Sequence, residues 1–502
     1  MRTLELHGEQ ATAALGAELS LFARPGQVIA LKGPLGSGKS VLARGFIRAL
    51  AGDGGDFDVP SPTFTLIQAY DSLRVPVVHA DLYRLRSESE VIELGLHDLA
   101  RSYVLLIEWP ENLPSPLSPD CLTIELSGTG NARTATLTPS GTWKDILARN
   151  ESIAAFLRGS NWAGAQRHFF EGDASSRRYE RLQRDSTKSI LMDMPARPDG
   201  PPVKDGKPYS RIAHLAEDIR SVVAVNDYLV SLGYGAPRIE HADLTAGLAI
   251  IEDLGDAVFG RMRSAGLDMR TPMTIAVEVL ADMAERIWPL HVPLRGGSTH
   301  ALHRYDEDAL AIETELLTEW FWPHAIGKPI DAAHLGEFRA IWKKAFAMAS
   351  TDRPVWVLRD FHSPNLLWLE DRTGLARVGL IDTQDCLIGH PAYDLASLLQ
   401  DARIDIPVDE HDRLFAYYCK IRGAGFDENA FRRAYAMLGA QRATKILGIF
   451  ARLSKRDGKH GYLKHIPRVF GYLQRNLAHP DLGALKRWYD ANLPANAAQR
   501  AA

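Results

Sequence analysis

The sequence predicts an α/β domain that is followed by a larger α+β domain. Short apolar runs alternate with helical patterns over about the first 140 residues. Strand-like segments then continue from His168 to about Ile251, and long helical stretches dominate after Leu254. The chain has 502 residues, which is enough for at least two domains of ordinary size.

Composition and charge exclude several classes of protein. Hydrophobic residues make up 46% of the chain and charged residues 24%, which excludes wholesale disorder. A net charge of −4 argues against a globally basic nucleic-acid binder. The cysteines Cys121, Cys386 and Cys419 form no CxxC pair, so we expect a reducing compartment rather than a disulfide scaffold. Because the sequence shows neither a signal-peptide pattern nor a long apolar run, we expect a cytoplasmic protein without a membrane span.

The first domain is predicted to form a parallel sheet covered on both faces, since its apolar runs are continuous and separated by helices. In order, its predicted elements are a strand at Gln27–Leu31, a helix at Ser40–Leu50, strands at Val77–Ala80 and Val104–Ile107, and a terminal hairpin of Cys121–Leu126 and Arg133–Thr138.

The second domain begins after a break at Thr138–Trp143. A helix is predicted over Trp143–Trp162, and the Pro/Gly-rich stretch Pro195–Pro208 predicts a surface loop. The predicted domains are therefore 1–142 and 150–495, with the boundary at about residues 140–150.

A phosphate-binding loop follows the first strand. Residues 33–40, GPLGSGKS, match G-x-x-x-x-G-K-[ST] between an apolar strand and a helix. Its glycines let backbone N–H groups turn toward phosphate oxygens, Lys39 would contact the β- and γ-phosphates, and Ser40 would hold Mg²⁺. The predicted nucleotide-binding residues are Gly33, Gly36, Ser37, Gly38, Lys39 and Ser40.

Two carboxylates, Asp81 and Glu108, directly follow strand-like runs. Both should lie at the carboxyl edge of the sheet, where ligands bind in open α/β folds. A carboxylate at this edge can hold Mg²⁺ or orient the attacking water, and the sequence does not say which residue does which. Thr63, in the segment SPTFT, could meet the γ-phosphate or Mg²⁺, or could belong to an ordinary polar loop.

With GPLGSGKS, the segments SPTFT, HADLYRL and IEWPE resemble the TsaE family over about residues 1–140. This family is the small ATPase of bacterial tRNA threonylcarbamoyladenosine (t6A) synthesis. The resemblance implies a P-loop NTPase fold, ATP and Mg²⁺ as cofactors, Asp81 and Glu108 as residues of ATP hydrolysis, and work in a complex with other t6A-synthesis proteins. Direct tRNA binding is not expected, because the net charge is negative and aromatic residues are sparse in the basic stretch 441–469.

A second site is predicted by residues 357–365, VLRDFHSPN, and 379–382, GLID. In this kinase-like pattern Asp360 would accept the proton of a substrate hydroxyl, while Asn365 and Asp382 would hold Mg²⁺. Hard oxygen donors suit this ion.

LRDFHSPNLLWL and LIDTQDCLIGHPAYDLASLLQD resemble the aminoglycoside phosphotransferase/choline-kinase-like family over about residues 150–490. The resemblance implies an α+β protein-kinase-like fold, with residues 171–179 covering the phosphates and Glu252 in the hinge that holds adenine. The usual strand lysine is missing from residues 189–195, SILMDMP, where Met192 and Asp193 stand. Arg177 or Arg178 could supply the missing charge, and Lys188 is less well placed. Asp394 resembles the aspartate that anchors the catalytic loop.

A narrower resemblance involves residues 172–182, LMDMP, the catalytic loop and the basic stretch 441–469. These segments together resemble anomeric sugar kinases of cell-wall recycling, which phosphorylate N-acetylmuramate and N-acetylglucosamine at C1. The resemblance implies a small-molecule sugar substrate. Two alternatives stay open at this point: a pseudokinase that binds nucleotide without transfer, and an antibiotic phosphotransferase.

Overall fold

The computed structural model describes residues 1–52, 58–85, 87–129, 131–170, 177–494 and 496–501. The chain divides into two compact units, Met1–Asp193 and Met194–Ala502. The first unit therefore contains the predicted first domain together with the helix and strands that follow it. The domain limits 1–142 and 150–495 stay predictions. None of the helices in the described ranges is long and apolar enough to cross a membrane.

A mixed sheet forms the centre of the first unit. Its strands are β1 (Arg2–His7), β2 (Val28–Lys32), β3 (Ile67–Tyr70), β4 (Val77–Asp81), β5 (Val104–Glu108), β6 (Cys121–Thr129) and β7 (Ala132–Pro139). Their spatial order is β1-β7-β6-β2-β5-β4-β3. Strand β2 runs parallel to β5 and β6, and β4 runs parallel to β5. The antiparallel pairing of β6 with β7 confirms the predicted hairpin.

Both faces of this sheet are buried, which explains the continuous apolar runs. Ile29 and Leu31 belong to the core under one face, whereas Val28 belongs to the core under the other, because successive side chains point to opposite faces. The helices of this unit are α1 (Gly8–Ser20), α2 (Lys39–Ala51), α3 (Glu88–Glu93), α4 (Leu96–Leu99) and α5 (Trp143–Arg158). Helix α5 is four residues shorter than the predicted Trp143–Trp162 and ends before Gly159, a residue that disfavours helix interiors.

Three further strands of the first unit form an antiparallel meander. They are β8 (Gln166–Phe170), β9 (Arg178–Arg184) and β10 (Thr187–Asp193), with β9 paired to both neighbours. Asp185, at the β9–β10 turn, has a φ of 53°. A turn of this kind favours short polar residues that tolerate the left-handed region.

A buried polar chain joins this meander to α1 and α5. Arg167 on β8 donates from Nε and Nη2 to the Glu180 carboxylate, at 2.6 and 2.9 Å. Its Nη1 donates to Asn150 Oδ1 at 2.8 Å and lies 3.3 Å from Glu18 Oε1. Asn150 Nδ2 donates in turn to Glu18 at 2.8 Å. Because Glu180 and Asn150 are buried, these contacts tie the strands to the P-loop domain.

The second unit is mainly helical. Its helices are α6 (Tyr209–Ile212), α7 (Arg220–Ser231), α8 (Phe259–Ser264), α9 (Arg270–Glu285), α10 (Glu307–Leu316), α11 (Trp322–Ile326), α12 (Ala332–Phe346), α13 (Ala392–Leu399), α14 (Val408–Ile421), α15 (Glu428–Asp457), α16 (Ile466–Leu477), α17 (Gly483–Asn492) and α18 (Ala497–Ala501). A π-helical turn at Leu317–Phe321 connects α10 to α11.

Short strands accompany these helices. They are β11 (Pro202–Lys204), β12 (Lys207–Pro208), β13 (Ile239–Asp243), β14 (Leu248–Glu252), β15 (His291–Pro293), β16 (Thr299–Ala301), β17 (Val355–Val357), β18 (Leu366–Trp368), β19 (Val378–Leu380) and β20 (Leu387–Gly389). The predicted loop Pro195–Pro208 thus contains the hairpin β11–β12. Its Asp205-Gly206 turn has φ values of 49° and 72°, the combination that favours two-residue hairpins.

Candidate functional sites

The phosphate loop connects β2 to α2. Gly33, Gly36 and Gly38 have φ values of 136°, 79° and 105°, which side chains other than glycine adopt with strain. At Gly33 a Cβ atom would also collide with the carbonyl oxygen of Leu126. Ser37 is buried, and its Oγ has no hydrogen-bond partner among the described residues. The loop therefore has the backbone geometry that turns N–H groups inward around phosphate.

Backbone carbonyl groups of this loop hold the side chain of Lys39 in place. Its Nζ donates to the carbonyl oxygens of Gly33 and Pro34, at 2.8 and 3.0 Å, and lies 4.0 Å from the centroid of the Trp109 ring. Burial lowers the pKa of Lys39, and the nearby Glu108 carboxylate opposes this shift. Trp109 thus contributes a cation–π contact at the loop. Ser40, the predicted Mg²⁺ ligand, lies in the first turn of α2.

Asp81 and Glu108 lie side by side, as their positions after strands predicted. They are Cα partners at the carboxyl ends of the parallel strands β4 and β5, and Glu108 is also opposite Leu31 of β2. Both side chains are buried. Glu108 Oε1 lies 3.0 Å from His79 Nε2, and Asp81 Oδ1 accepts from the Tyr83 N–H at 3.0 Å.

His79 was missed by sequence reasoning, although a histidine within the apolar run VVHAD was a visible signal. Because His79 and Glu108 are both buried, their contact is not a surface ion pair. Thr63 Oγ1 shares a hydrogen bond of 2.9 Å with Ser61 Oγ in the loop before β3. The proposed contact of Thr63 with γ-phosphate or Mg²⁺ stays a prediction.

The kinase-like site is assembled by the strand pair β18–β19. Leu366 is opposite Leu380, so Asn365 and Ile381 are neighbours, and the Ile381 N–H donates to Asn365 O at 3.1 Å. Asp360, Asn365 and Asp382 line one small cavity. Asn365 Nδ2 donates to the Asp360 carbonyl oxygen at 3.1 Å. The pair of strands therefore brings the three predicted residues together.

The surroundings of Asp360 favour its ionised form. Burial raises the pKa of Asp360, but His362, Lys445 and Arg359 outweigh burial, and the net pKa lies below its ordinary value. Burial lowers the pKa of His362. A carboxylate that remains ionised can accept a hydrogen bond from a substrate hydroxyl.

Buried carboxylates hold the catalytic loop in place. Asp394 accepts from the backbone N–H groups of Leu358 and Arg359, at 2.6 and 3.0 Å. Asp401, which sequence reasoning missed, accepts from both the N–H and the Oγ of Ser363, at 2.8 and 2.6 Å. Nothing local in the sequence links these positions, which are 35 or more residues apart along the chain.

The side chain of Arg359, itself a residue of the catalytic loop, forms further contacts that hold this loop in place. Its guanidinium donates to Glu313 on α10 and, at 3.0 Å, to Ala213 O. Lys445 Nζ on α15 donates to the same Glu313 carboxylate at 2.7 Å. Asp385 accepts from the Ala216 N–H at 2.7 Å.

Asp193, which stands near the place of the usual strand lysine, is itself bound by arginines. Arg149 of α5 donates to Asp193 Oδ1 from Nε and Nη2, at 3.0 and 2.6 Å. Arg178 Nη2 lies 3.1 Å from both Asp193 and Glu180, and its guanidinium stacks 3.8 Å from the Phe22 ring centroid. Arg178 is therefore paired with two carboxylates of the first unit, and its proposed phosphate contact stays a prediction.

The other residues predicted to contact nucleotide in this half have different surroundings. Lys188 is exposed next to the β9–β10 turn, at the opposite end of β10 from Asp193. Glu252 Oε1 accepts from Arg238 and Arg372, at 3.0 and 2.7 Å, so its carboxylate is occupied by ion pairs. Residues 171–176 of the predicted phosphate-covering segment lie outside the described residues. The nucleotide contacts of Arg177 and Glu252 stay predictions.

Two known families match the chain. The family described as threonylcarbamoyl adenosine biosynthesis protein TsaE matches residues 6–135, and the phosphotransferase enzyme family matches residues 167–435. An N-acetylmuramate/N-acetylglucosamine kinase of Caulobacter vibrioides is 38% identical over 356 residues, covering 69% of this chain and 97% of that protein. A tRNA threonylcarbamoyladenosine biosynthesis protein TsaE of Rickettsia conorii is 33% identical over 126 residues, covering 25% of this chain and 71% of that protein.

Among solved structures, a choline/ethanolamine kinase family protein from Mesorhizobium loti is 12% identical, with a TM-score of 0.44, and covers 68% of this chain and 98% of its own. The extent of the sequence matches confirms both predicted resemblances. The chain belongs to the phosphotransferase enzyme family over residues 167–435 and carries, ahead of it, a domain of the TsaE family at residues 6–135.

Proposed function

We propose that the chain carries two ATP-using activities: ATP hydrolysis in support of t6A synthesis, and phosphoryl transfer to an amino sugar. The observation that carries the second activity is that the fold brings Asp360, Asn365 and Asp382 together around one narrow pocket. These residues supply the base and the oxygen donors that phosphoryl transfer needs.

In the first activity, the phosphate loop binds ATP through its backbone N–H groups and Lys39. Ser40 and one of the two carboxylates, Asp81 or Glu108, suit Mg²⁺, since all three are hard oxygen donors next to the loop. When bound, the ion neutralises charge on the β- and γ-phosphates. The other carboxylate orients the water that attacks the γ-phosphorus. The buried contact of His79 with Glu108 fixes the position of that carboxylate.

In the second activity, Asp360 accepts the proton of a sugar hydroxyl. The hydroxyl oxygen forms a bond to the γ-phosphorus of ATP, the bond from that phosphorus to the β–γ bridging oxygen breaks, and ADP leaves. Asn365 Oδ1 and the Asp382 carboxylate suit Mg²⁺, which shields the phosphate charge when bound. The intact set of three residues argues against a pseudokinase despite Met192 and Asp193.

The C1 hydroxyl of N-acetylmuramate or N-acetylglucosamine is the acceptor that we propose. Support comes from the similarity to kinases of that name, and from the charges on α15. Lys445 is bound to Glu313, whereas the Nε of Arg452 is buried without a hydrogen-bond partner among the described residues. Arg452 lies 5.8 Å from the ring centroid of Tyr209. N-acetylmuramate carries a lactyl carboxylate that a guanidinium of this kind would bind.

Partners and location follow from the same proposal. The TsaE domain would act together with other proteins of t6A synthesis in the cytoplasm, where nucleotide turnover resets the assembly. We expect no direct tRNA contact from this chain. The kinase half needs only its small sugar substrate.

Crossed variants test the two activities. Lys39→Ala should abolish the ATP hydrolysis that occurs without sugar and leave sugar phosphorylation unchanged. Asp360→Ala should do the reverse. If either variant silenced both activities, the proposal of two independent sites would be wrong.

A further inference from the structure

Strand β7 brings an arginine to the phosphate loop. Arg133, near the start of β7, is opposite Gly128 of β6 and Leu6 of β1. A Cβ atom built at Gly38 would lie 3.6 Å from Arg133 Nε and 3.7 Å from its Cδ. The side chain of Arg133 therefore passes directly over the last glycine of the loop, one residue before Lys39.

Two guanidinium nitrogens of Arg133 lack hydrogen-bond partners among the described residues. Nε and Nη1 of Arg133 are both buried, and neither has a hydrogen-bond partner in the part of the chain that the structure describes. Burying a charged donor without a partner is unfavourable. In the same loop, Lys39 donates to two carbonyl oxygens. Arg133 is thus a cation beside a phosphate site, with two buried donors that the described residues leave without a partner.

From this arrangement we propose that Arg133 binds a phosphate oxygen of the nucleotide in the loop. The proposal rests on the ATPase function proposed for this site and adds a ligand contact from the β6–β7 hairpin. Lys39 approaches the loop from the side of Trp109, whereas Arg133 approaches over Gly38. A guanidinium donates several N–H groups to a phosphate, so the bound nucleotide supplies the acceptors that the described residues do not.

The φ of 105° at Gly38 favours glycine. A Cβ atom at this position would be in ordinary van der Waals contact with Arg133, at 3.6 Å from Nε, and with Thr12, at 3.4 Å from Cγ2. The backbone conformation, and not crowding by the arginine, therefore explains this glycine.

Nucleotide titration of the full-length chain tests the contact. ADP and adenosine are titrated by calorimetry in the presence of Mg²⁺, and the component of ADP binding that Lys39→Ala removes is assigned to the phosphate loop. For this component Arg133→Ala should weaken ADP binding by about 10- to 100-fold, the range for hydrogen bonds to charged groups. Arg133→Lys, which keeps the charge, should restore part of the affinity. Arg101→Ala, on an exposed arginine of the same domain, should bind ADP as the wild type does.

The outcomes separate this inference from the function on which it rests. Lys39-dependent ADP binding that is insensitive to Arg133→Ala would overturn the phosphate contact alone. Equal weakening of ADP and adenosine would also overturn it, because the arginine would then act on the base. Absence of any Lys39-dependent binding in the wild type would overturn the proposed ATPase function and the contact together.

Discussion

Glu180 is the centre of the polar chain that joins the P-loop domain to the phosphotransferase strands, and Glu180→Gln should destabilise the first unit strongly. The carboxylate is 1% exposed, accepts two hydrogen bonds from Arg167 and lies 3.1 Å from Arg178. Removing one partner of a buried ion pair costs about 3–5 kcal/mol, because the remaining charge is left without compensation. In the variant, Arg167 still pairs with Glu18, and Arg178 still pairs with Asp193. We therefore expect the free energy of unfolding to fall by about 3 kcal/mol, at the lower end of this range.

Urea unfolding followed by circular dichroism measures this loss. With a denaturant slope of about 2 kcal/mol per molar urea, a loss of about 3 kcal/mol lowers the midpoint of the affected transition by about 1.5 M. The matched control is Glu151→Gln, on helix α5. Glu151 also contacts two arginines, Arg2 and Arg158, but its side chain is 44% exposed, so we expect a loss below about 1 kcal/mol. A midpoint shift no larger for Glu180→Gln than for Glu151→Gln would refute the reasoning.

Two further predictions concern the second unit. Burial raises the pKa of Asp394 to about 7 from an ordinary value of 3.8. Between these two pH values the folded chain therefore holds a proton on Asp394 that the unfolded chain releases. The contribution of Asp394 to the free energy of unfolding should therefore fall as pH rises from about 4 to 7 and stay constant above, and Asp394→Asn should remove this component from the pH profile of urea midpoints. Arg452→Met should lower kcat/KM for N-acetylmuramate by about 10-fold or more and leave N-acetylglucosamine within about 2-fold, because only the first sugar carries a carboxylate. Arg456→Met, on an exposed arginine paired with Asp457, is the control, and equal effects on both sugars would contradict a carboxylate contact.

Local sequence signals predicted which residues come together at the two sites. The phosphate loop is a contiguous motif, and its glycines have the positive φ values that the motif needs. Asp81 and Glu108 were predictable as neighbours because each ends one of two strands that run parallel to each other. Asn365 and Asp382 were predicted by resemblance, and the pairing of β18 with β19 shows why residues 17 positions apart meet.

Long-range pairings were beyond such reasoning. The sequence allows Arg178 to supply a phosphate-binding charge. In the structure, Arg178 forms an ion pair with Asp193 and a cation–π contact with Phe22. Neither contact has a periodic or contiguous signal, since each depends on how separate elements pack. The same is true of Arg133, whose place over Gly38 follows from the register of β7 in the sheet.

We propose that the second half of the chain transfers phosphate to an amino sugar although the usual strand lysine is absent. The most direct test incubates the full-length Lys39→Ala chain with Mg-ATP and, in turn, N-acetylmuramate, N-acetylglucosamine, choline and an aminoglycoside, and detects products by mass. We predict a sugar 1-phosphate from the two amino sugars, and none when Asp360→Asn is added. No product from any acceptor, with ATP still bound, would contradict the claim and would indicate a pseudokinase.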